Sequence, residues 1–493
     1  MALQLYNSFS RQKEEFKPIN PPFVGVYVCG PTVYDHPHLG HAKSYVVFDV
    51  IVRYLRAIGY KVRYVQNITD VGHLVEGKDE GEDKIQKKAK IEKLEPIEIA
   101  QKYENIYFQS MDQLNNLRPD ISCRATGHIM EMIEAIENLI AKGNAYVADG
   151  NVYFNVRSIS DYGKLSRRKI DDQMEGTRIE TAKDKKNSFD FALWKKTDPD
   201  HIMYWKSPWG NGYPGWHIEC SVMSIKYLGK PFDIHGGGLD NQFPHHECEI
   251  AQSEAMTGGK FVNYFIHNNM ITIKGEKMSK SKGNFFTLKD LFAEYNAMAV
   301  RFFILQGHYH SPQEMSDESL TASNKGYQRI ASTLQQLENI VIKQKIMEYN
   351  DDNKSLNKQW DNLSGSWLDF KQKFIEHMDD NFDTPGAIAT LFEICKYINS
   401  NLLTTDNHDN SEITNAYSLL KMTFSHILGF QTMTDEIKHS QENELIELIL
   451  NLRNDYRDNK NWQKSDFIRD ELNKLGIIIK DSKDKTTYSK ELT

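Results

Sequence analysis

This sequence is poor in the features that mark secreted, membrane-spanning and strongly nucleic-acid-coating proteins. Five cysteines are spread over 493 residues, which does not make a disulfide framework, so we expect buried, catalytic or metal-bound thiols. No apolar run approaches the roughly 20 residues of a membrane span, and the first residues lack the pattern of a signal peptide. The net charge of −8 argues mildly against binding nucleic acid through bulk positive charge. We therefore expect a cytoplasmic enzyme with no membrane contact.

The chain is too long for a single hydrophobic core, and its first part predicts a parallel βαβ unit. Residues 23–30 are apolar and β-rich, residues 41–58 have the apolar spacing of a buried helix, and residues 60–69 predict a second strand. Gly59 is a suitable helix stop. A strand, a helix and a strand over so short a stretch indicate an α/β fold with a parallel sheet.

Changes in composition and pattern along the chain divide the remaining sequence into predicted domains. The sequence predicts a parallel-sheet domain in two halves, an insertion that ends in a segment with Cys220, a helical bundle, and a small C-terminal α/β domain. The corresponding ranges are 1–119 and 231–309 for the two halves, 120–230 for the insertion, 310–430 for the bundle and 440–493 for the last domain.

His38 and His41 stand at i and i+3 at the expected start of the first helix. A helix N-terminus offers free N–H groups and a positive dipole end, which suit an anion. Gly40, between them, lets a base or ribose approach the backbone. The pattern is consistent with contacts to a triphosphate, and equally with two ordinary polar residues at a helix cap.

A lysine-rich stretch, KMSKS, follows much later and contains Lys277 and Lys280. Paired lysines in a Gly- and Ser-rich loop are able to clamp a leaving pyrophosphate. Taken alone, the stretch is also consistent with a solvated basic surface loop.

Several residues have side chains that bind zinc, although no CxxC pair is present. Cys29 lies at a strand end, Cys220 lies in GWHIECS, and His245 and Glu249 are spaced i and i+4, so on a helix they share a face. Cys248 has a spacing that also allows it to point there. Zinc takes four N, S or O ligands in a tetrahedron, but buried structural cysteines remain an alternative.

The stretch DIHGGGLDNQ is unusually rich in glycine. Gly236 and Gly237 allow a flat ligand to approach the backbone, and Asp240 is able to accept from a ribose hydroxyl. A tight structural turn explains the same residues equally well.

The order of these motifs resembles one family closely. HLGH near residue 40 and KMSKS near residue 280 have the layout of class I aminoacyl-tRNA synthetases. This resemblance implies that the two-part sheet domain is a Rossmann-like catalytic domain and that 120–230 is a connective insertion ending in a catalytic segment. Longer stretches are similar to the cysteinyl-tRNA synthetase family over essentially the whole chain: YVCGPTVYDHPHLGHAKS, NITDVG, PGWHIECSVMS, FDIHGGGLDNQFPHHECEIAQS, KMSKSKGN, NFDTPGAIATL and SDFIRDELNKLGI.

The resemblance implies roles for individual residues. One zinc ion per chain would be bound by Cys29, Cys220, His245 and Glu249, and would recognise the substrate thiol. Thr69, Trp216 and His235 match positions that line the cysteine pocket. The nucleotide would be handled by His38, His41, Lys277 and Lys280, with Gly40, Gly236, Gly237 and Asp240 close to it.

The implied activity is an ATP-dependent ligation of L-cysteine to tRNA(Cys) through a cysteinyl adenylate. Mg²⁺ would accompany ATP, and the bundle and C-terminal domain would bind the tRNA and its anticodon. By family analogy the protein would be a monomer. Two rival hypotheses are a cysteine ligase with a small-molecule amine acceptor and a non-catalytic RNA-binding paralogue. The first would lack a full anticodon-binding end, and the second would be expected to lose HLGH, KMSKS or zinc ligands.

Overall fold

The chain divides into two units, Met1–Phe430 and Gln431–Thr493. A computed structural model describes residues 2–72, 84–168, 184–197, 203–277, 285–344, 346, 353–404, 409–432, 445–446, 448–457, 459, 461–475, 477–481 and 486–490. Among these residues, no helix combines the length and the apolar character required to cross a membrane.

Strands and helices alternate along most of the first unit. The strands are β1 Gln4–Asn7, β2 Gln12–Glu15, β3 Phe23–Val28, β4 Lys61–Ile68, β5 Ile121–Arg124, β6 Ala145–Ala148, β7 Asn151–Phe154, β8 Phe191–Lys196, β9 Trp205–Ser207, β10 Gly210–Pro214, β11 Phe232–Gly238, β12 Val262–Asn268, β13 Ile271–Ile273, β14 Glu276–Lys277, β15 Gln313–Glu314, β16 Ile477–Asp481 and β17 Thr486–Lys490. The helices are α1 Leu39–Ala57, α2 Lys84–Glu92, α3 Pro96–Gln113, α4 Ile129–Ala141, α5 Trp216–Leu228, α6 Glu247–Thr257, α7 Leu288–Glu294, α8 Ala297–Gln306, α9 Asp317–Gln344, α10 Asn353–Asp361, α11 Ser366–Asp379, α12 Thr384–Asn401, α13 Asn410–Leu420 and α14 Trp462–Lys474.

A five-stranded parallel sheet with the order β12-β11-β3-β4-β5 positions the active site. The βαβ unit predicted from the sequence is β3, α1 and β4, and α1 ends one residue before the predicted end, with Gly59 at φ 97° beyond it. The chain runs to one side of β3 through β4 and β5, and later to the other side through β11 and β12. Such a reversal opens a crevice at the carboxyl ends of the two strands that flank it, here β3 and β11.

The range predicted as an insertion contains a second sheet and two elements that differ from the expectation. Strands β6 to β10 form an antiparallel sheet in the order β6-β7-β8-β10-β9. However, β5 pairs with β4 in the parallel sheet, so the first half of that sheet extends to Arg124 rather than ending at residue 119. The segment 129–141, in which the sequence analysis identified no helix, is the amphipathic helix α4.

Helix α1 joins the parallel sheet to the helices that follow it, through a buried ionic cluster. Asp49 accepts from Arg53 at 2.8 Å and from Arg301 of α8, and it also accepts from the backbone N–H of Leu117 at 2.7 Å. Arg301 is fully buried and donates to the carbonyl of Leu428 at 2.8 Å. Burial alone would raise the pKa of Asp49, but Arg53 and Arg301 outweigh it and hold that pKa below its ordinary value.

The second unit has a small hydrophobic core of its own. Helix α14 packs against β16, which pairs antiparallel with β17. The core residues are Ile446, Leu450, Leu472 and Ile477. This helix and strand pair agrees with the small α/β domain predicted at the C-terminal end.

Candidate active site

A cavity of about 450 Å³ lies at the carboxyl ends of β3 and β11. Its size falls within the range of small-molecule and cofactor pockets. The structure brings most of the residues singled out from the sequence to its walls: Cys29, His38, Gly40, His41, Trp216, Cys220, Gly237, Asp240 and His245.

His38 and His41 cap helix α1 reciprocally. The Nδ1 atom of His38 accepts from the backbone N–H of His41 at 3.3 Å, and the Nδ1 atom of His41 accepts from the N–H of His38 at 3.2 Å. The two rings are stacked, with centroids 3.8 Å apart. Because each Nδ1 is an acceptor, the proton of each neutral ring lies on Nε2. The helix cap is therefore confirmed, and both rings also line the cavity, while their contact with a triphosphate stays a prediction.

Cys29, Cys220, His245 and Glu249 form a buried cluster whose donor atoms all lie within 4.8 Å of one another. The sulfurs of Cys29 and Cys220 are 3.9 Å apart, and Nε2 of His245 is 3.1 Å from Oε1 of Glu249. Zinc bond lengths place two sulfurs on one tetrahedral ion about 3.8 Å apart, and a nitrogen and an oxygen about 3.3 Å apart. The spacing of the donors therefore fits a single tetrahedral metal ion.

The raised pKa values of the acidic groups in this cluster also indicate a bound cation. Burial, followed by the neighbouring Cys220 and Glu249, raises the pKa of the Cys29 thiol well above its ordinary value. Burial likewise raises the pKa values of Cys220 and Glu249. Three groups that each become negative on ionisation thus share a buried site, and a divalent cation would supply the compensating charge.

A second set of possible ligands shares Cys29 and Glu249 but uses His235 and His246. The Nε2 atom of His246 is 3.2 Å from the Cys29 sulfur but 4.0 Å from Oε1 of Glu249, which is long for two atoms on one ion. Neither His235 nor His246 is among the residues lining the cavity, whereas Cys29, Cys220 and His245 are. Only the first set therefore faces space that a substrate thiol could enter.

Three further histidines, His217, His235 and His246, contact members of the first set. Nε2 of His235 is 2.8 Å from Oε2 of Glu249, so His235 contacts one member of the cluster from behind, and its place in the cysteine pocket stays a prediction. His217 and His245 are joined through their Nδ1 atoms at 2.9 Å. Hydrogen bonds of this kind orient metal ligands and fix their tautomers.

The glycine-rich stretch serves two purposes. A Cβ at Gly236 would lie 2.3 Å from the ring of Phe48 on α1, so this glycine permits the packing of helix on sheet, and Gly236 does not line the cavity. Gly237 does line it, and a Cβ there would lie 2.8 Å from Asn241. Of the residues expected to lie close to a ligand in this stretch, Gly237 and Asp240 line the cavity and Gly236 does not.

Trp216 and Thr69 differ in their positions. Trp216 lines the cavity and packs against His245, with ring centroids 4.3 Å apart. Thr69 is buried, is not among the lining residues, and donates from Oγ1 to Glu219 at 2.7 Å. It is linked to the cavity through Asn67, a lining residue whose amide donates to Thr69 Oγ1 at 3.1 Å.

The two KMSKS lysines are only partly covered by the structure. Lys277 ends β14, the strand that leads towards the motif, and its backbone pairs with β13. Lys280 lies outside the described residues. On the far side of the motif, Phe285 lines the cavity and its ring contacts His38, with centroids 5.1 Å apart.

Sequence reasoning missed several polar residues of the cavity wall, among them Lys43, Ser44, Asn67 and Asn268. Lys43 and Ser44 directly follow HLGHA, and helical periodicity places both of them one turn after Gly40. Their position in the sequence was therefore the signal that could have found them. The two asparagines belong to strands of the parallel sheet, where a polar residue within an apolar strand is the signal.

Comparison with known families accounts for most of the chain. Residues 15–325 match the model for the tRNA synthetase class I (C) catalytic domain. Residues 373–432 match the DALR domain, and residues 444–488 match the cysteinyl-tRNA ligase anticodon binding domain. Three matches in this order cover both described units.

Full-length relatives and solved structures agree with these matches. The chain is 48% identical to the cysteine–tRNA ligase of Chlorobaculum tepidum, over 99% of both chains, and 45% identical to that of Thermus thermophilus, over 98% of both. The fold matches Mycobacterium tuberculosis methionyl-tRNA synthetase in complex with methionyl-adenylate, with a TM-score of 0.58 and 15% identity over 82% of this chain and 91% of that one. From the family matches and the full-length identity, we conclude that this chain belongs to the cysteine–tRNA ligase family of class I aminoacyl-tRNA synthetases.

Proposed function

We propose that this protein uses ATP to ligate L-cysteine to tRNA(Cys) through a cysteinyl adenylate. The observation that carries the proposal is the presence, in one cavity, of a buried cluster of two cysteines, a histidine and a glutamate beside the histidine-capped start of α1. The first suits recognition of a thiol, and the second suits binding of a phosphate. The names of the full-length relatives support the same activity.

One zinc ion per chain would be held by Cys29, Cys220, His245 and Glu249. When bound, zinc supplies a Lewis acid that favours the thiolate form of a substrate thiol, a form that the hydroxyl of serine reaches far less readily. A site that depends on such a contact rejects the analogue lacking it by about 10⁴–10⁵-fold without editing. Trp216 packs on His245 and closes this side of the cavity.

The residues around the nucleotide would act by position and charge. The substrate carboxylate attacks the α-phosphate, pyrophosphate leaves, and negative charge on the phosphate oxygens grows in the transition state. The Nε2–H groups of His38 and His41 donate to those oxygens, while Lys277 and Lys280 neutralise the leaving pyrophosphate with its Mg²⁺. Asp240 would accept from the ribose of ATP. No covalent bond to the protein is needed.

The second step transfers cysteine to the tRNA. The terminal ribose hydroxyl attacks the adenylate and releases AMP. We propose that the second unit and the helices of 310–430 bind tRNA(Cys), because they match an anticodon binding domain and a DALR domain. We further propose that the protein acts as a monomer in the cytoplasm, where tRNA and ATP are found.

The test is charging of total bacterial tRNA by the purified full chain with labelled cysteine or serine, with and without a zinc chelator. We expect zinc-dependent charging with cysteine alone. Cys220→Ser should lose zinc and activity together. Cys248→Ser is the matched control. Cys248 is buried, lies one helical turn after His245, and contacts the hydroxyl of Tyr162 at 3.4 Å instead of the cluster.

Other outcomes would favour the rival hypotheses. Cysteine-dependent pyrophosphate exchange without charging of any tRNA would indicate a small-molecule amine acceptor. Tight RNA binding with neither exchange nor charging would indicate a non-catalytic RNA-binding protein.

A further inference from the structure

Lys43, on the second turn of α1, is a buried cation at the wall of the active-site cavity. Its residue is 1% exposed, and Nζ donates to the carbonyl oxygen of Ser311 at 2.9 Å and to that of Met270 at 3.4 Å. None of the described carboxylates forms an ion pair with it. Burial lowers the pKa of Lys43 to about 8, so the ammonium form still predominates at neutral pH. A buried charge held by carbonyls alone is costly, which indicates that the charge and its donors have a use.

The two carbonyl groups mark the beginnings of two neighbouring strands. Met270 directly precedes β13, and Ser311 lies two residues before β15. Strands β13 and β15 pair in parallel, and the backbone N–H of Gln313 also donates to the Met270 carbonyl, at 3.2 Å. The ammonium group of Lys43 therefore connects the beginnings of β13 and β15 to α1 through two hydrogen bonds.

This small sheet leads directly into the KMSKS motif. Its third strand, β14, pairs with β13 and ends at Lys277, the first residue of the motif. Beyond the motif the chain is fastened to the same helix start, since the N–H of Leu288 donates to Pro37 at 2.8 Å and the N–H of Leu39 donates to Phe286 at 3.4 Å. Both flanks of the motif are thus tied to the segment that carries His38 and His41.

We propose that Lys43 is a positioning residue for ATP activation, which holds the small sheet of β13, β14 and β15, and with it the backbone of Lys277 at the start of KMSKS, in register with His38 and His41. The inference rests on the proposed adenylation activity and deepens it. Lys43 acts through Met270 and Ser311. A displacement of about 1 Å in such a constellation can cost about 10²-fold in rate. The cysteine cluster is built on other elements, β3, α5 and α6, so cysteine affinity should not depend on Lys43.

The experiment is cysteine-dependent ATP–pyrophosphate exchange by the full chain, with ATP and cysteine varied separately. Lys43→Met, which keeps the length but removes the charge and the donors, should lower kcat/KM for ATP by about 10- to 100-fold. Its zinc content and KM for cysteine should stay at the wild-type values. Lys43→Arg, which keeps the charge and the donors, should recover activity to within about 5-fold of wild type. Lys206→Met is the control, because Lys206 is an exposed lysine of β9 and is not among the residues lining the cavity.

A double-mutant cycle with Lys277→Ala separates this positioning role from general loss of structure. If Lys43 acts through β14 and Lys277, adding Lys43→Met to Lys277→Ala should cost less than about 3-fold further. Losses that multiply in full, a raised KM for cysteine, or no rescue by arginine would each overturn the inference. Lys43→Gln, which keeps a single donor group, gives the same comparison if Lys43→Met does not fold. An inactive wild-type protein would refute the proposed function itself, which is a distinct result.

Discussion

The paired roles of His38 and His41 can be separated by replacing both with residues that keep only the helix cap. In the double variant His38→Ser, His41→Gln, the serine hydroxyl accepts from the N–H of residue 41 and the glutamine side chain accepts from the N–H of residue 38, which is the standard capping box. Both reciprocal hydrogen bonds of the wild type, at 3.3 and 3.2 Å, are thereby replaced. Both Nε2–H donors are lost.

The expected effects differ by orders of magnitude. Removal of one preorganised donor to a developing oxyanion costs about 10²–10³-fold in rate, so loss of two that act as a unit should lower pyrophosphate exchange by about 10³-fold or more. A lost N-cap costs about 1 kcal/mol. The capped variant should therefore unfold within about 1 °C of wild type, whereas His38→Ala with His41→Ala should lose both activity and about 2 °C.

The assay is cysteine-dependent exchange at saturating cysteine, with thermal unfolding of the same samples. Exchange by the capped variant within about 5-fold of wild type would refute the reasoning, because the histidines would then be a cap and nothing more. A fall in activity that the capped and uncapped variants share, with a difference only in stability, is the predicted result.

Three further predictions concern the metal cluster and the stability of the first unit. Metal analysis should find that His245→Ala loses zinc and that His246→Ala retains most of it; the opposite ranking would favour the second ligand set. Asp49→Asn should destabilise the unit by about 3–5 kcal/mol in denaturant unfolding, since it leaves Arg301 buried beside a neutral partner; a loss below about 1 kcal/mol would contradict this. Burial, then Lys421 and Arg53, lowers the pKa of His426 to about 4. Because the unfolded chain then binds the proton more tightly, stability should rise with pH between about 4 and 6.5, and His426→Gln should weaken that rise in thermal scans across this window.

The sequence predicted those parts of the fold that local patterns determine. The βαβ start follows from an apolar strand, a buried helix and a stop at Gly59, and the predicted fold class and family are both confirmed. Helix α4 was missed although its buried residues have helical spacing: Ile129, Met132, Ile133, Ile136 and Leu139.

The site was harder to predict where a residue's neighbour is distant in the sequence. Gly236 and Gly237 are adjacent and chemically identical, yet Gly236 meets Phe48 and Gly237 meets the cavity. Successive residues of a strand face opposite sides of a sheet, so the register decides which glycine approaches a ligand. The same limit applies to His245 and His246, whose different partners depend on how α6 begins.

Helix α1 explains why these separate features form one site. Its first turn carries the histidine cap, its second turn carries Lys43, and Phe48 then sets its distance from β11 through Gly236. Asp49, on the following position, faces Arg301 and the helices beyond. A shift of α1 would therefore change the nucleotide side of the cavity and the contact with α8 together. The cysteine side would move less, because Cys220 and Glu249 are carried by α5 and α6, whose buried side chains pack in a different core cluster from those of α1.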